Sequence, residues 1–114
     1  MELRKGEIYL ANLEPSFGKE QGRIRPVLII QNDTMNSSSP ITIVAPITSR
    51  IFSKHYPTNV EITPKDSGLK IKSTILFNQI KAIDKRRIIK KLGEVSFNLM
   101  KKVDSAIKVS LDLS

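Results

Sequence analysis

Cysteine and tryptophan are absent from the 114 residues, and histidine occurs once, at position 55. Without thiols there can be neither a disulfide framework nor a thiolate metal site, and nothing argues for an oxidising compartment. A single imidazole cannot build a histidine metal centre or a two-histidine nuclease. His55, beside Tyr56 and Pro57, reads as an ordinary surface residue. Long apolar runs are also missing: residues 26–30 and 43–47 are far too short to cross a bilayer, and residues 1–6 carry charges where a signal peptide needs an apolar run. The expected compartment is the cytoplasm, with no membrane contact. The acidic residues are scattered with no local pair spaced to clamp a metal, and no glycine-rich phosphate loop precedes a helix. No metal or other cofactor is expected.

What is present is an ordinary globular composition, 39% hydrophobic and 26% charged, at the size of one domain spanning residues 1–114. Nineteen Lys and Arg against eleven Asp and Glu give a net charge of +8. Such a balance favours a nucleic acid or an acidic protein as partner. Six of the basic residues fall between Lys81 and Lys91, opposed only by Asp84. Two readings fit that run: a solvated strand edge, or a direct contact with phosphate.

Several β-branched segments are separated by turn chemistry, and one helix follows. Strands are expected over residues 7–13, 25–31, 41–47, 59–62, 74–83 and 87–92. Residues 16–24, with Gly18 and Gly22, and residues 32–39, rich in Asn and Ser, read as surface loops. From Phe97 the period changes, because Leu99, Met100, Val103, Ala106, Ile107 and Leu111 recur at helical spacing, with Ser96 as N-cap. Leu99, Val103 and Ile107 suit the chain's own core better than a contact with a second copy. The fold class is mainly β with a C-terminal helix, a small twisted barrel rather than a parallel sheet.

Two segments could carry chemistry. The loop 18–25 feeds an apolar strand through Arg25, and Pro46-Ile47-Thr48-Ser49-Arg50 is the polar exit of another strand. An arginine at the mouth of a rigid strand is a positioned cation, suited to clamping a phosphate. Pairing of Arg25 with Glu20 fits the local pattern equally well.

The strings EQGRIRPVLIIQND (20–33) and SSPITIVAPITSR (38–50) resemble the signature of the MazF/PemK toxin family. RKGEIYLANLEPSFG near the start, FNQIKAIDKRRI and the terminal VSLDL extend that similarity in register from about residue 4 to the end. The resemblance implies an SH3-like barrel with a terminal helix (α+β), a homodimer, and a sequence-specific endoribonuclease toxin. It also implies cleavage of single-stranded RNA without metal, leaving 2′,3′-cyclic phosphate and 5′-hydroxyl ends and so inhibiting translation. An acidic MazE-like antitoxin is the implied neutralising partner.

Carried over by motif, Arg25 before Pro26 is the implied catalytic arginine, and Thr48 the implied catalytic threonine. Phe17, Lys19, Glu20, Gln21, Arg23, Ser49, Arg50, Asn78 and Gln79 are the candidates for contacting RNA. Phe17 can stack a base or pack against its own loop, and Arg23 can alter base preference. A CcdB-like gyrase poison shares the barrel, but in that group a tryptophan near the C-terminus carries the activity. This chain has none and ends in Ser-Leu-Asp-Leu-Ser. A non-catalytic RNA-binding barrel is the other alternative, and the presence of both Arg25 and Thr48 counts against it.

Overall fold

The first strand, β1 (Glu7–Asn12), buries both of its faces, Ile8 on one and Tyr9 and Ala11 on the other, in the computed structural model, which describes residues 2–114. The remaining elements are β2 (Ile24–Ile29), α1 (Asp33–Ser38), β3 (Ile41–Thr48), β4 (Asn59–Ile62), α2 (Pro64–Ser67), β5 (Ser73–Leu76), β6 (Lys81–Asp84), β7 (Ile88–Glu94) and α3 (Phe97–Ser110). All strand pairs are antiparallel, in the order β4-β5-β3-β2-β1-β7, with β6 lying beside β3. Register shifts on either side of Tyr9 and Leu10 mark irregularities between β1 and β7. Such bulges increase the local twist, and the sheet curls into a small open barrel.

The curl creates two cores from the two faces of each strand. Ile8, Leu28, Ala45, Ile47 and Phe77 pack with Leu99, Val103 and Ala106 of α3, with Met100 and Ile107 at the margin. Leu99, Val103 and Ile107 therefore belong to the chain's own core. The opposite face gathers Leu3, Tyr9, Ala11, Leu13, Val27, Ile29, Val44, Ile83 and Ile88. Helix α3 starts where expected, since the Ser96 hydroxyl accepts a hydrogen bond from the Leu99 N–H at 3.3 Å.

Two expectations are corrected. The segment 32–39 is not a loop, because Asn32 caps α1 by accepting from the Met35 N–H at 2.8 Å. Its Asn36 is buried, accepting from Gln31 Nε2 at 3.1 Å and Thr42 Oγ1 at 2.8 Å while donating to the Gln31 carbonyl at 2.9 Å. That network turns a polar stretch inward and ties α1 to β2 and β3. The strand expected over 74–83 is two, β5 and β6, separated by a 3₁₀ turn, Phe77–Gln79. Phe77 is buried in the α3-facing core, which the chain reaches by leaving the sheet for one turn.

Replacing Asn36 by Ala removes the acceptor of the Thr42 hydroxyl and the side-chain donor to the Gln31 carbonyl, while Gln31 Nε2 keeps the Ile41 carbonyl at 2.9 Å. An unpaired buried polar group costs about 1–3 kcal/mol. Asn36→Ala is expected to lower the urea midpoint by that free energy without altering the slope; an unchanged midpoint would show that solvent replaces the network.

Candidate active site

The β1–β2 loop is braced from several sides. The Leu13 N–H donates to the Arg23 carbonyl at 2.9 Å, closing the loop at its neck. The Arg87 guanidinium donates to the carbonyls of Asn12, at 3.2 Å, and Glu14. The Glu14 carboxylate in turn accepts from the Arg23 N–H. Arg23 has φ +63°, a left-handed conformation that costs a non-glycine residue roughly 1–2 kcal/mol, and the Glu14 contact helps to hold it. Gly22 leaves room for these side chains: a Cβ there would lie 2.6 Å from Glu14 Oε1 and against the Ser16 hydroxyl, so both would have to move. Its carbonyl accepts from Arg25 Nε at 2.7 Å.

The loop thus orients the Arg25 guanidinium through its Nε, leaving the two terminal nitrogens without a protein hydrogen bond among the described residues. The expected alternative of a pair with Glu20 is not realised; no ion pair involves Arg25 among the described residues. Burial first, and the nearby Arg23 charge second, lower the guanidinium's pKa from its ordinary value. Arginine remains a cation at neutral pH all the same. A half-buried, uncompensated cation with two free donors is an anion site by its physics.

Thr48 lies on the same side of the sheet. Val27 pairs with Pro46 and Leu28 with Ala45, so the antiparallel register, continued past its last pair, sets Arg25 opposite Thr48. Side chains alternate along a strand, so Arg25 shares a face with Val27, and Thr48 with Pro46. The two candidates stand where the β2–β3 ladder has ended and the strands separate. The Thr48 hydroxyl accepts from the Arg50 N–H at 3.2 Å, which turns the chain at the strand exit.

A cavity of about 440 Å³ adjoins this edge, lined by Phe17, Lys19, Glu20, Gln21, Pro46, Asn78, Gln79, Ile80 and Lys81. Six of the expected RNA-contacting residues therefore line one space: Phe17, Lys19, Glu20, Gln21, Asn78 and Gln79. The Gln21 N–H donates to Gln79 Oε1 at 2.7 Å, pinning the loop to the 3₁₀ turn across the cavity. Phe17 is 76% exposed, which decides against its packing in its own loop and leaves a ring face open to a ligand.

Arg23, Ser49 and Arg50 are exposed and do not line this cavity. Arg50 instead lies over the Phe52 ring, 4.4 Å from its centroid. Among the described residues no group of three His, Cys, Asp or Glu side chains converges.

The basic run resolves into separate jobs. Lys85 donates to the Asn36 carbonyl, Arg86 pairs with Asp84 at 3.1 Å, Arg87 braces the loop, and Lys91 meets Glu7 at 2.7 Å. Only Lys81 reaches the cavity. Sequence reasoning missed the bracing roles of Glu14 and Arg87, since their partners are backbone groups that no side-chain pattern displays.

Residues 4–111 match the model of the family described as the PemK-like, MazF-like toxin of type II toxin-antitoxin systems. The chain belongs to the PemK/MazF toxin family. The same fold recurs in the crystal structure of MazF from Deinococcus radiodurans, at 24% identity and a TM-score of 0.84, with 99% of each chain covered. An endoribonuclease from a Mycobacterial species superposes with a TM-score of 0.81 at 22% identity, over 99% of this chain and 94% of that one. A further match is a MazE–MazF structure from D. radiodurans, with a TM-score of 0.76 at 26% identity over 100% of this chain and 99% of the other.

In this PemK/MazF toxin, Arg87→Ala is expected to loosen the β1–β2 loop while leaving the fold intact. A hydrogen bond to a charged group contributes about 1.5–3 kcal/mol, so amide exchange at Leu13 and Arg23 should accelerate by roughly tenfold or more. Exchange unchanged at both amides would remove Arg87 from the brace.

Proposed function

We propose that this chain is a sequence-specific, metal-independent endoribonuclease that cuts single-stranded RNA through attack by the RNA's own 2′-hydroxyl. The observation that carries the reading is Arg25: a guanidinium oriented through its Nε, with free terminal donors, at the strand edge opposite Thr48. The attacking 2′-oxygen forms a bond to phosphorus while the bond from phosphorus to the 5′-oxygen breaks. One product ends in a 2′,3′-cyclic phosphate and the other in a 5′-hydroxyl. The proton lost by the 2′-hydroxyl is balanced by one gained at the leaving oxygen.

Negative charge accumulates on the equatorial oxygens of the five-coordinate phosphorus, and a planar cation binds two of them at once. Alignment of nucleophile, phosphorus and leaving oxygen supplies acceleration by orientation. Arginine is a poor base near neutrality, so Arg25 acts as an electrostatic clamp, and Thr48 donates a hydrogen bond to phosphate or leaving oxygen. The substrate's internal nucleophile needs no activated water. Phe17, Gln21, Asn78 and Gln79 line the space beside the clamp, where they contact the bases.

A homodimer and an acidic antitoxin complete the proposal. The D. radiodurans and Mycobacterial neighbours include toxin–antitoxin complexes. The +8 charge of this chain suits an acidic partner, with attraction weakening as salt rises. Cleavage of messenger RNA by the free toxin would inhibit translation in the cytoplasm.

The test incubates purified protein with a long RNA in EDTA and maps the cut ends, which should be discrete and carry cyclic phosphate. Arg25→Ala should lower kcat by at least about 10²–10³, the scale for losing a transition-state donor. Arg25→Lys should not rescue, since an ammonium lacks the fork. Thr48→Ala should reduce kcat severely, with circular dichroism unchanged in all three. Near-native cutting by Arg25→Ala would overturn the assignment.

A further inference from the structure

One peptide unit, between Gly22 and Arg23, stands between a carboxylate and the candidate catalytic cation. At its amide end the Arg23 N–H donates to Glu14 Oε1. At its carbonyl end the Gly22 oxygen accepts from Arg25 Nε at 2.7 Å. The peptide is trans, so its N–H and C=O share a plane and point in opposite directions. A rotation that turns the amide away from Glu14 also turns the carbonyl away from Arg25. The two contacts are made or lost together.

The orientation that serves both ends is not the one an arginine prefers. It requires the left-handed backbone at Arg23, which a Cβ disfavours. Two contacts oppose relaxation toward an extended backbone: the Arg23 carbonyl accepts from the Leu13 N–H, and the Arg23 N–H is held by Glu14. Glu14 is itself fixed at both of its own backbone groups. Its N–H donates to Asn12 Oδ1 at 3.0 Å, and its carbonyl accepts from the Arg87 guanidinium.

The charge of Glu14 is spent on the backbone. Its carboxylate forms no ion pair with a basic side chain among the described residues. A hydrogen bond to an ionised acceptor is roughly twice as strong as a neutral one, and hydrogen bonds in series polarise one another. The carboxylate therefore strengthens the Gly22 carbonyl as an acceptor for Arg25. A direct ion pair with Arg25 would consume the terminal donors, whereas a carboxylate acting through one peptide leaves them free.

We propose that Glu14 is a positioning residue for Arg25, acting through the Gly22–Arg23 peptide. Its carboxylate holds the left-handed turn at Arg23, the turn aims the Gly22 carbonyl at Arg25 Nε, and the guanidinium is presented in one orientation. The consequence for catalysis rests on the ribonuclease reading; the link between Glu14 and Arg25 does not.

The experiment has two arms. The first follows exchange of the Arg25 Nε–H with water by NMR in the free protein, the resonance being assigned by its loss in Arg25→Lys. Glu14→Ala should accelerate that exchange by about tenfold or more, the scale for losing a hydrogen bond to a charged group. Glu14→Gln keeps an oxygen acceptor and should stay close to the unaltered protein. The second arm measures kcat and KM on an RNA bearing the mapped cleavage sequence. Glu14→Ala should lower kcat by about 10–100-fold with KM little changed, because a misplaced group loses transition-state orientation. Glu14→Gln should retain most of kcat. Arg23→Gly removes the strain of the left-handed turn, and Arg23→Ala does not. Adding Glu14→Ala should therefore cost several-fold less kcat on the Arg23→Gly background than on Arg23→Ala, each compared with its own Arg23 variant. Glu14 and Arg23 lie outside both cores, so circular dichroism should be unchanged throughout.

Unaltered exchange at Arg25 in Glu14→Ala would overturn the link. So would a loss confined to KM, which would make Glu14 an RNA contact, or a loss in Glu14→Gln as deep as in Glu14→Ala, which would place the carboxylate's charge in the chemistry itself. Equal costs on the two Arg23 backgrounds would remove the backbone route. Failure of the unaltered protein to cut any RNA would sink the ribonuclease reading alone, and the exchange arm would still decide whether Glu14 positions Arg25.

Discussion

Strand β3 has three neighbours but only two edges. One edge is taken by β2, so the other is divided: β6 pairs with Ile41 to Val44, and β5 takes over at Ile47 and Thr48. Between them lie Ala45 and Pro46, where no partner stands on that side. A proline, which cannot donate to a ladder, is harmless there and would be costly a few residues earlier. The gap is bridged by the 3₁₀ turn from Phe77, which drops its ring into the core and lifts Asn78 and Gln79 onto the rim of the cavity. The division of one strand edge therefore opens the cleft, positions its polar lining and sets Thr48 at its margin.

The neighbouring strand completes the arrangement. Its ladder with β3 begins only at Val27, so Arg25 and Pro26 stand ahead of it while still paired with β1. Arg25 is held by rigid backbone on one edge and open on the other. The loop that precedes it does the fine positioning through the Gly22 carbonyl, and that loop is itself fastened at Glu14, Gln21 and Asn12. Fixing a cation before the substrate arrives removes reorganisation from the chemical step, which is where preorganised charge has its advantage over water.

Much of this architecture was legible before any coordinates. Alternation located the strands, and Ser96 with its three-and-four periodicity located α3, because both signals are local. Arg25 and Thr48 were singled out by family resemblance, and the structure sets them opposite each other at the end of the β2–β3 ladder. What was not legible depended on distant partners. Asn36 reads as a loop residue until Gln31 and Thr42 are placed around it. Thr74 to Ile83 reads as one strand until β3 is seen to need two partners. Glu20 looked like a counter-ion for Arg25 by proximity in sequence, yet the nearer acceptor was a carbonyl three residues away.

Charge illustrates how composition and mechanism part company. The densest cluster of basic residues, from Lys81 to Lys91, is spent largely on capping, bracing and pairing. The catalytic candidate is a single arginine outside it. Net charge sets the long-range field that draws a polyanion to the surface, and that field is screened within about 8–10 Å at physiological salt. At contact the deciding property is unsatisfied donor capacity. Arg86 and Arg87 are already hydrogen-bonded to this chain, whereas the Arg25 terminal nitrogens are not. A phosphate arriving near neutral pH meets a cation that burial has deprived of water and the fold has left unpaired. The same desolvation that weakly disfavours the empty site strengthens the attraction once the anion is present.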